Sequence, residues 1–146
     1  MKIDLDKENS IQELPSKVRA VMGVPELILT DEIIISPIFK SRAEKYINSK
    51  ISEYEDLDIN LLQIAAVYYI SYLLCPGMYA RLPKQMENLS TKTILQSIDW
   101  NQLAEDLLNK CNDLIDEAIA ELEDDVTYSA TYAVLSDEAT YPNENI

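Results

Sequence analysis

A chain of 146 residues with 47% apolar content suits one domain built on one core. Its net charge of −14, from 12 basic and 26 acidic residues, speaks against a duplex-binding surface, which needs clustered Lys and Arg. With no histidine and 2 glycines, the chain lacks the commonest general base and metal ligand, has no Gly-rich phosphate loop, and is poorly equipped for tight β turns.

The first ten residues are polar, and residues 1–14 are expected to form a mobile N-terminus. MKIDLDKENS contains no apolar h-region, so no signal peptide is expected. Pro15 suits the first turn of a short helix with Val18, Val21 and Met22 on its apolar side, and Gly23 stops it. Thr30 reads as the cap of a short turn over Asp31–Ile35. Ser36-Pro37 marks the start of an amphipathic helix running to about Tyr54. Ile38, Phe39, Ala43, Tyr46, Ile47 and Ile51 form its apolar side. Lys40, Arg42, Glu44, Lys45, Asn48 and Lys50 cover the other, which reads as a solvated face.

From Ile59 to Ala80 the chain carries no charge. The uninterrupted part, Ile59–Cys75, reaches only the lower edge of the roughly 17–25 residues a bilayer span needs. Asn60, Gln63 and Ser71 interrupt it, four tyrosines line it, and its N-terminal flank is acidic. A buried central helix capped by Asp58 fits better than a membrane span, with Pro76-Gly77 ending or kinking it. Tyr68, Tyr69 and Tyr72 are expected in the core with their hydroxyls directed to an edge. Arg81, Lys84 and Lys92 make the following stretch net-basic, and 91–95 reads as a short strand or an extended arm. Asp99 with Gln102 resembles a capping box opening the longest helix, Trp100 to about Asp124. Cys75 and Cys111 fall in apolar helical patterns. They read as small buried hydrophobes in a reducing compartment, not as a disulfide or metal framework.

The long helix ends Glu121-Leu122-Glu123-Asp124-Asp125, and acids at a helix C-terminus oppose its dipole. Val126 to Val134 then alternates apolar with polar, a period-2 strand signal. The chain therefore divides into the N-terminus (1–14), a helical domain (15–125) and an extended C-terminal tail (126–146). The fold class is all-α: a small helical bundle around a buried central helix, with an extended arm and a β-like tail. Nothing in the pattern points to an enzyme, a cofactor or a metal. Asp113, Asp116 and Glu117 share a helical face but read as a solvated acidic one.

Two stretches carry a family resemblance. Val18-Arg19-Ala20-Val21-Met22-Gly23-Val24, Leu29-Thr30-Asp31-Glu32-Ile33-Ile34-Ile35-Ser36-Pro37-Ile38-Phe39 and Ala43-Glu44 are similar to the start of the small head–tail connector (adaptor, or head-completion) proteins of tailed bacteriophages. Asp99-Trp100-Asn101-Gln102-Leu103-Ala104-Glu105-Asp106-Leu107-Leu108 resembles that family's last helix. The matched order spans about 17–124. The resemblance implies a helical subunit of a closed ring of about twelve copies beneath the portal protein. That ring extends the DNA channel, lets DNA pass without specific binding, and docks the next neck or tail component. It implies a place in the virion neck, reached from the host cytoplasm during assembly, with no membrane and no catalysis.

The charge pattern suggests how copies would meet. Glu121, Glu123, Asp124 and Asp125 of one subunit would face Arg81, Lys84 or Lys92 of the next, with Tyr128 and Tyr132 as anchors in the tail. The alternative is an acidic monomeric binding or inhibitor protein that masks a basic partner.

Overall fold

A segment without charge buries itself wherever amphipathic neighbours can cover it. The computed structural model describes the backbone of residues 1–7, 11–85, 94–95 and 97–140. Side chains are described as far as Leu82 and, in the last helix, Asp124. The helices are α1 (Leu14–Met22), α2 (Asp31–Ile34), α3 (Pro37–Ile51), α4 (Ile59–Gln85) and α5 (Trp100–Thr140). The uncharged run forms α4, which packs against α1, α3 and, most extensively, α5. Leu62, Ala65, Ala66, Ile70, Leu74, Cys75, Met78 and Leu82 are buried along it. The all-α bundle around a central helix is thus the fold, and no strand occurs among the described residues. Helix α4 is long and apolar enough to cross a bilayer by length and composition, but here other helices cover it.

Local chemistry explains most boundaries. Gly23 takes a left-handed φ of 70°, and the N–H groups of Gly23 and Val24 both donate to the Arg19 carbonyl, closing α1. The Arg19 guanidinium donates to the Leu29 carbonyl (3.1 Å) and to Asp31 (2.6 Å), tying the end of α1 to the start of α2. Pro37 opens α3, which ends at Ile51 rather than Tyr54. Ala43, Ile47 and Ile51 are buried, Phe39 and Tyr46 half-buried. Ile38 is 61% exposed despite its place on the apolar side. Asp58 accepts from the Asn60 N–H (2.9 Å) at the start of α4.

Four expectations need correction. The N-terminus is not free over residues 1–7. Ile3 and Leu5 are buried, and the Ile3 N–H donates to Asn48 Oδ1 (2.8 Å) while Asn48 Nδ2 donates back to the Ile3 carbonyl (3.2 Å). The Leu5 N–H donates to Glu44, and the terminal amine donates to the Tyr54 carbonyl (2.7 Å). Ile3 and Leu5 alternate with Lys2, Asp4 and Asp6, so an extended segment turns its two apolar side chains onto α3.

Helix α4 also passes through Pro76-Gly77 without ending. A mid-helix proline costs about 3 kcal/mol. Burial of Cys75, Met78 and Leu82 around it offsets this at roughly 1.5–3 kcal/mol for each large side chain. The helix therefore carries Arg81 and Lys84 instead of releasing them on an arm. Of the expected arm, Ile94 and Leu95 lie in a helical turn with Leu95 buried, while 91–93 are outside the described residues.

The tail is the third correction: α5 continues as helix through 126–134 to Thr140. The sequence there fits two periods at once. Leu122, Val126, Ala130 and Ala133 recur at helical spacing beneath the alternation. Extending an existing helix adds a hydrogen bond per residue with no new nucleus. Finally, the capping box is half-formed. Asp99 Oδ1 accepts from the Asn101 and Gln102 N–H groups (both 3.1 Å), but Gln102 Nε2 donates to Asp106 (3.1 Å) instead of returning to the cap.

Candidate assembly surfaces

The pairing of α4 with α5 sets where the charges fall. At one end the Trp100 N–H donates to the Tyr79 hydroxyl (3.2 Å), and the Trp100 ring is fully buried. At the other, Asp56, Leu57 and Asp58 line a shallow cavity of about 270 Å³ together with Ala118, Glu121 and Leu122. The two helices therefore run antiparallel, and Leu122 lies level with the residues just before α4. Helix α5 continues for eighteen residues beyond Leu122, to Thr140. At 1.5 Å per residue those eighteen positions extend ~27 Å.

Glu121, Glu123 and Asp124 are exposed at this end, and Asp56 and Asp58 lie beside them. Among the described residues none of these five forms an ion pair. The structure thus gathers a larger acidic pole than the sequence pattern suggests. The added members come from the loop before α4, whose run of Glu53, Glu55, Asp56 and Asp58 was the available signal. Asp125, Tyr128 and Tyr132 lie on the helical continuation, but their side chains are outside those described.

Of the cations named with them, Arg81 stands toward the opposite end of α4. Arg81 is half-buried, and its Nε is buried with no hydrogen-bond partner among the described residues. Its side chain folds back on its own helix, Nε lying 3.4 Å from where a Cβ on Gly77 would sit. Lys84 is in the last turn of α4 with its side chain outside those described, and Lys92 lies outside the described residues. Among the described residues Arg81 and the acidic pole form no ion pair.

A second cationic surface sits on α3. Ile38, Arg42, Lys45 and Ser49 recur at four, three and four, which puts them on one stripe. Arg42, Lys45, Tyr46 and Ser49 border an open cleft of about 380 Å³ whose far wall is Tyr69 of α4. Tyr46 stacks on Tyr69 with ring centroids 4.3 Å apart and 17° between planes, and Tyr72 continues the cluster at 5.4 Å. The Tyr46 hydroxyl donates to Asn112 of α5, and Lys50 Nζ lies 5.5 Å from the Tyr46 ring centroid. Burial, with help from Tyr72, pushes the Tyr69 phenol up, and the Arg42 charge acts against that. Sequence reasoning treated Arg42 and Lys45 as a solvated face and Tyr69 as core. Only the packing of α3 on α4 makes them neighbours.

Other chemistry is sparse. Asp113, Asp116 and Glu117 are exposed on α5. Carboxylate oxygens of Asp4, Asp6 and Glu44 lie within 4.8 Å of one another. Glu44 accepts from Leu5, however, and Lys40 Nζ is 3.5 Å from Asp6, so these groups serve to dock the N-terminal segment. Cys75 and Cys111 are free and buried. Burial pushes their thiols up to about 11 and about 12. Compared with known proteins, the chain matches no family model, no curated protein and no solved structure.

Proposed function

We propose that this chain is a structural subunit of the head–tail connector type: a helical protein that works by assembling into a ring beneath a portal, extending a DNA channel and docking the next neck component. One observation carries the reading. Helix α5 outruns its intrachain partner and bears an acidic pole that no cation of its own chain neutralises among the described residues. A subunit whose acidic end and cationic surfaces lie apart is suited to heterologous, head-to-tail contact, which closes into a ring when the rotation permits. The resemblance of 17–44 and 99–108 to connector proteins supports the same reading. In the first stretch Arg19 and Asp31 bind each other and Val18, Met22, Leu29 and Ile34 are buried, so the matched residues act as one packed unit. The acidic surface suits a passage that DNA must traverse without sticking.

The rival, an acidic monomer masking a basic partner, draws on the same pole. It gives the projecting part of α5 no task. Reversing Glu121, Glu123 and Asp124 to Lys separates the two readings. Assembly on a portal, followed by sedimentation, is expected to fall at least tenfold. Unchanged assembly would remove the acidic pole from the contact. A tight one-to-one complex with a basic protein, without rings, would favour the rival.

A further inference from the structure

We propose that the cleft between α3 and α4, bordered by Arg42, Lys45, Tyr46, Ser49 and Tyr69, receives the acidic end of α5 from a second copy of this chain. The proposal rests on the assembly reading and names the surface that completes the contact.

Charge segregation is the first argument. Helix α3 carries four cations (Lys40, Arg42, Lys45, Lys50) and one acid (Glu44), net +3. Helix α5 carries eleven acids and one cation, net −10. A basic helix face in a chain of net charge −14 finds an abundant complement on another copy of itself. Availability is the second. Arg42 and Lys45 are exposed and form no ion pair among the described residues. Arg81, the cation the sequence pattern favoured, is half-buried and folded along Gly77, so it presents less of its guanidinium.

Reach is the third argument. Glu121, Glu123 and Asp124 stand where α5 leaves its own bundle, so a neighbour can approach them from several sides. Shape is the fourth. The cleft has a flat stacked-tyrosine floor, and tyrosine is favoured where one side of a contact is apolar and the other wet. Ile38, 61% exposed on the same stripe as Arg42, offers an apolar step next to the cations. In the sequence of α5 an alternation of apolar and polar residues likewise follows the acids, beginning at Val126. A single strand of nucleic acid would also be drawn to tyrosines and cations. The two exposed cations of the cleft, Arg42 and Lys45, are few for a strand of phosphates.

Full-length chains test this by directed disulfide formation. One chain carries Ser49→Cys, the other Glu123→Cys, and the native thiols are buried. Under mild oxidation the mixed dimer is expected at least tenfold above a control pairing Glu123→Cys with Glu26→Cys, an exposed site between α1 and α2. Adding Arg42→Glu and Lys45→Glu to the first chain should lower the yield about tenfold. Glu121→Lys and Asp124→Lys in the second should restore it. A yield equal to the control, or indifferent to these reversals, overturns the proposal. So does capture of a single-stranded oligonucleotide that depends on Arg42 and Lys45 without any mixed dimer. Rings on a portal without the crosslink would retire this contact and keep the connector reading. The crosslink without rings would do the reverse.

Discussion

Asp99 shows how one side chain fixes where the longest helix begins. Its carboxylate accepts two N–H groups of the first turn of α5, directly before the buried Trp100. Asp99→Ala leaves those donors without that acceptor and should lower stability by about 1 kcal/mol, read as a shift of the urea midpoint at unchanged slope. The cysteines make a second residue-scale prediction. Burial raises Cys75 to about 11 and Cys111 to about 12, above the ordinary thiol near 9. A raised folded value means that the folded state holds the proton more tightly. The resulting stability is fully present below about pH 9 and lost as pH rises toward 11–12. Urea midpoints should therefore fall between pH 8.5 and roughly 10.5, and both thiols should resist alkylation at pH 8 until the chain unfolds. Rapid labelling in the native state would contradict their burial. Cap positions and cysteines were legible in the sequence because they depend on neighbours within a turn or on the helix's own apolar pattern, but Thr30 and Ser36 hold their N-cap positions without a side-chain hydrogen bond. The Arg42–Tyr69 cleft was not, because it exists only where α3 crosses α4.

At the level of elements, the sequence pattern located α1, α3, α4 and α5, since each has a capping residue or Pro at one end and an apolar stripe along its length. It misjudged three places where tertiary burial or helix propagation outweighed a local signal. Pro76 could not end a helix held by Met78 and Leu82. The alternation at 126–134 could not end a helix already propagating. Ile3 and Leu5 were too few to stand out in a polar segment, yet α3 offers them a surface. Two deletions test this. Removing residues 1–7 uncovers that face and should lower stability by about 3 kcal/mol, from two buried aliphatic side chains. Removing 126–146 should leave stability within about 0.5 kcal/mol, because the described side chains that pack α5 into the core run from Trp100 to Leu122. It should also reduce ellipticity at 222 nm by the share of the fifteen helical residues removed. A strand in that position would leave that signal nearly unchanged.

Across the whole molecule the charge is polarised. Glu121, Glu123 and Asp124 of α5 stand with Asp56 and Asp58, Arg42 and Lys45 are exposed on α3, and Arg81 lies toward the far end of α4. Neither Arg42 and Lys45 nor the five acids form an ion pair among the described residues, and in the proposed ring contacts between copies would satisfy both. The net charge and the acidic helix end were plain in the sequence, but the pole they form with Asp56 and Asp58 depends on the antiparallel register of α4 and α5. The central claim is that this chain acts by ring assembly on a portal. Electron microscopy of the protein, alone and mixed with a portal protein, tests it most directly. A closed ring of about twelve copies coaxial with the portal is expected. A chain that stays monomeric on the portal and at high concentration, or pairs one-to-one with a basic protein, would contradict it.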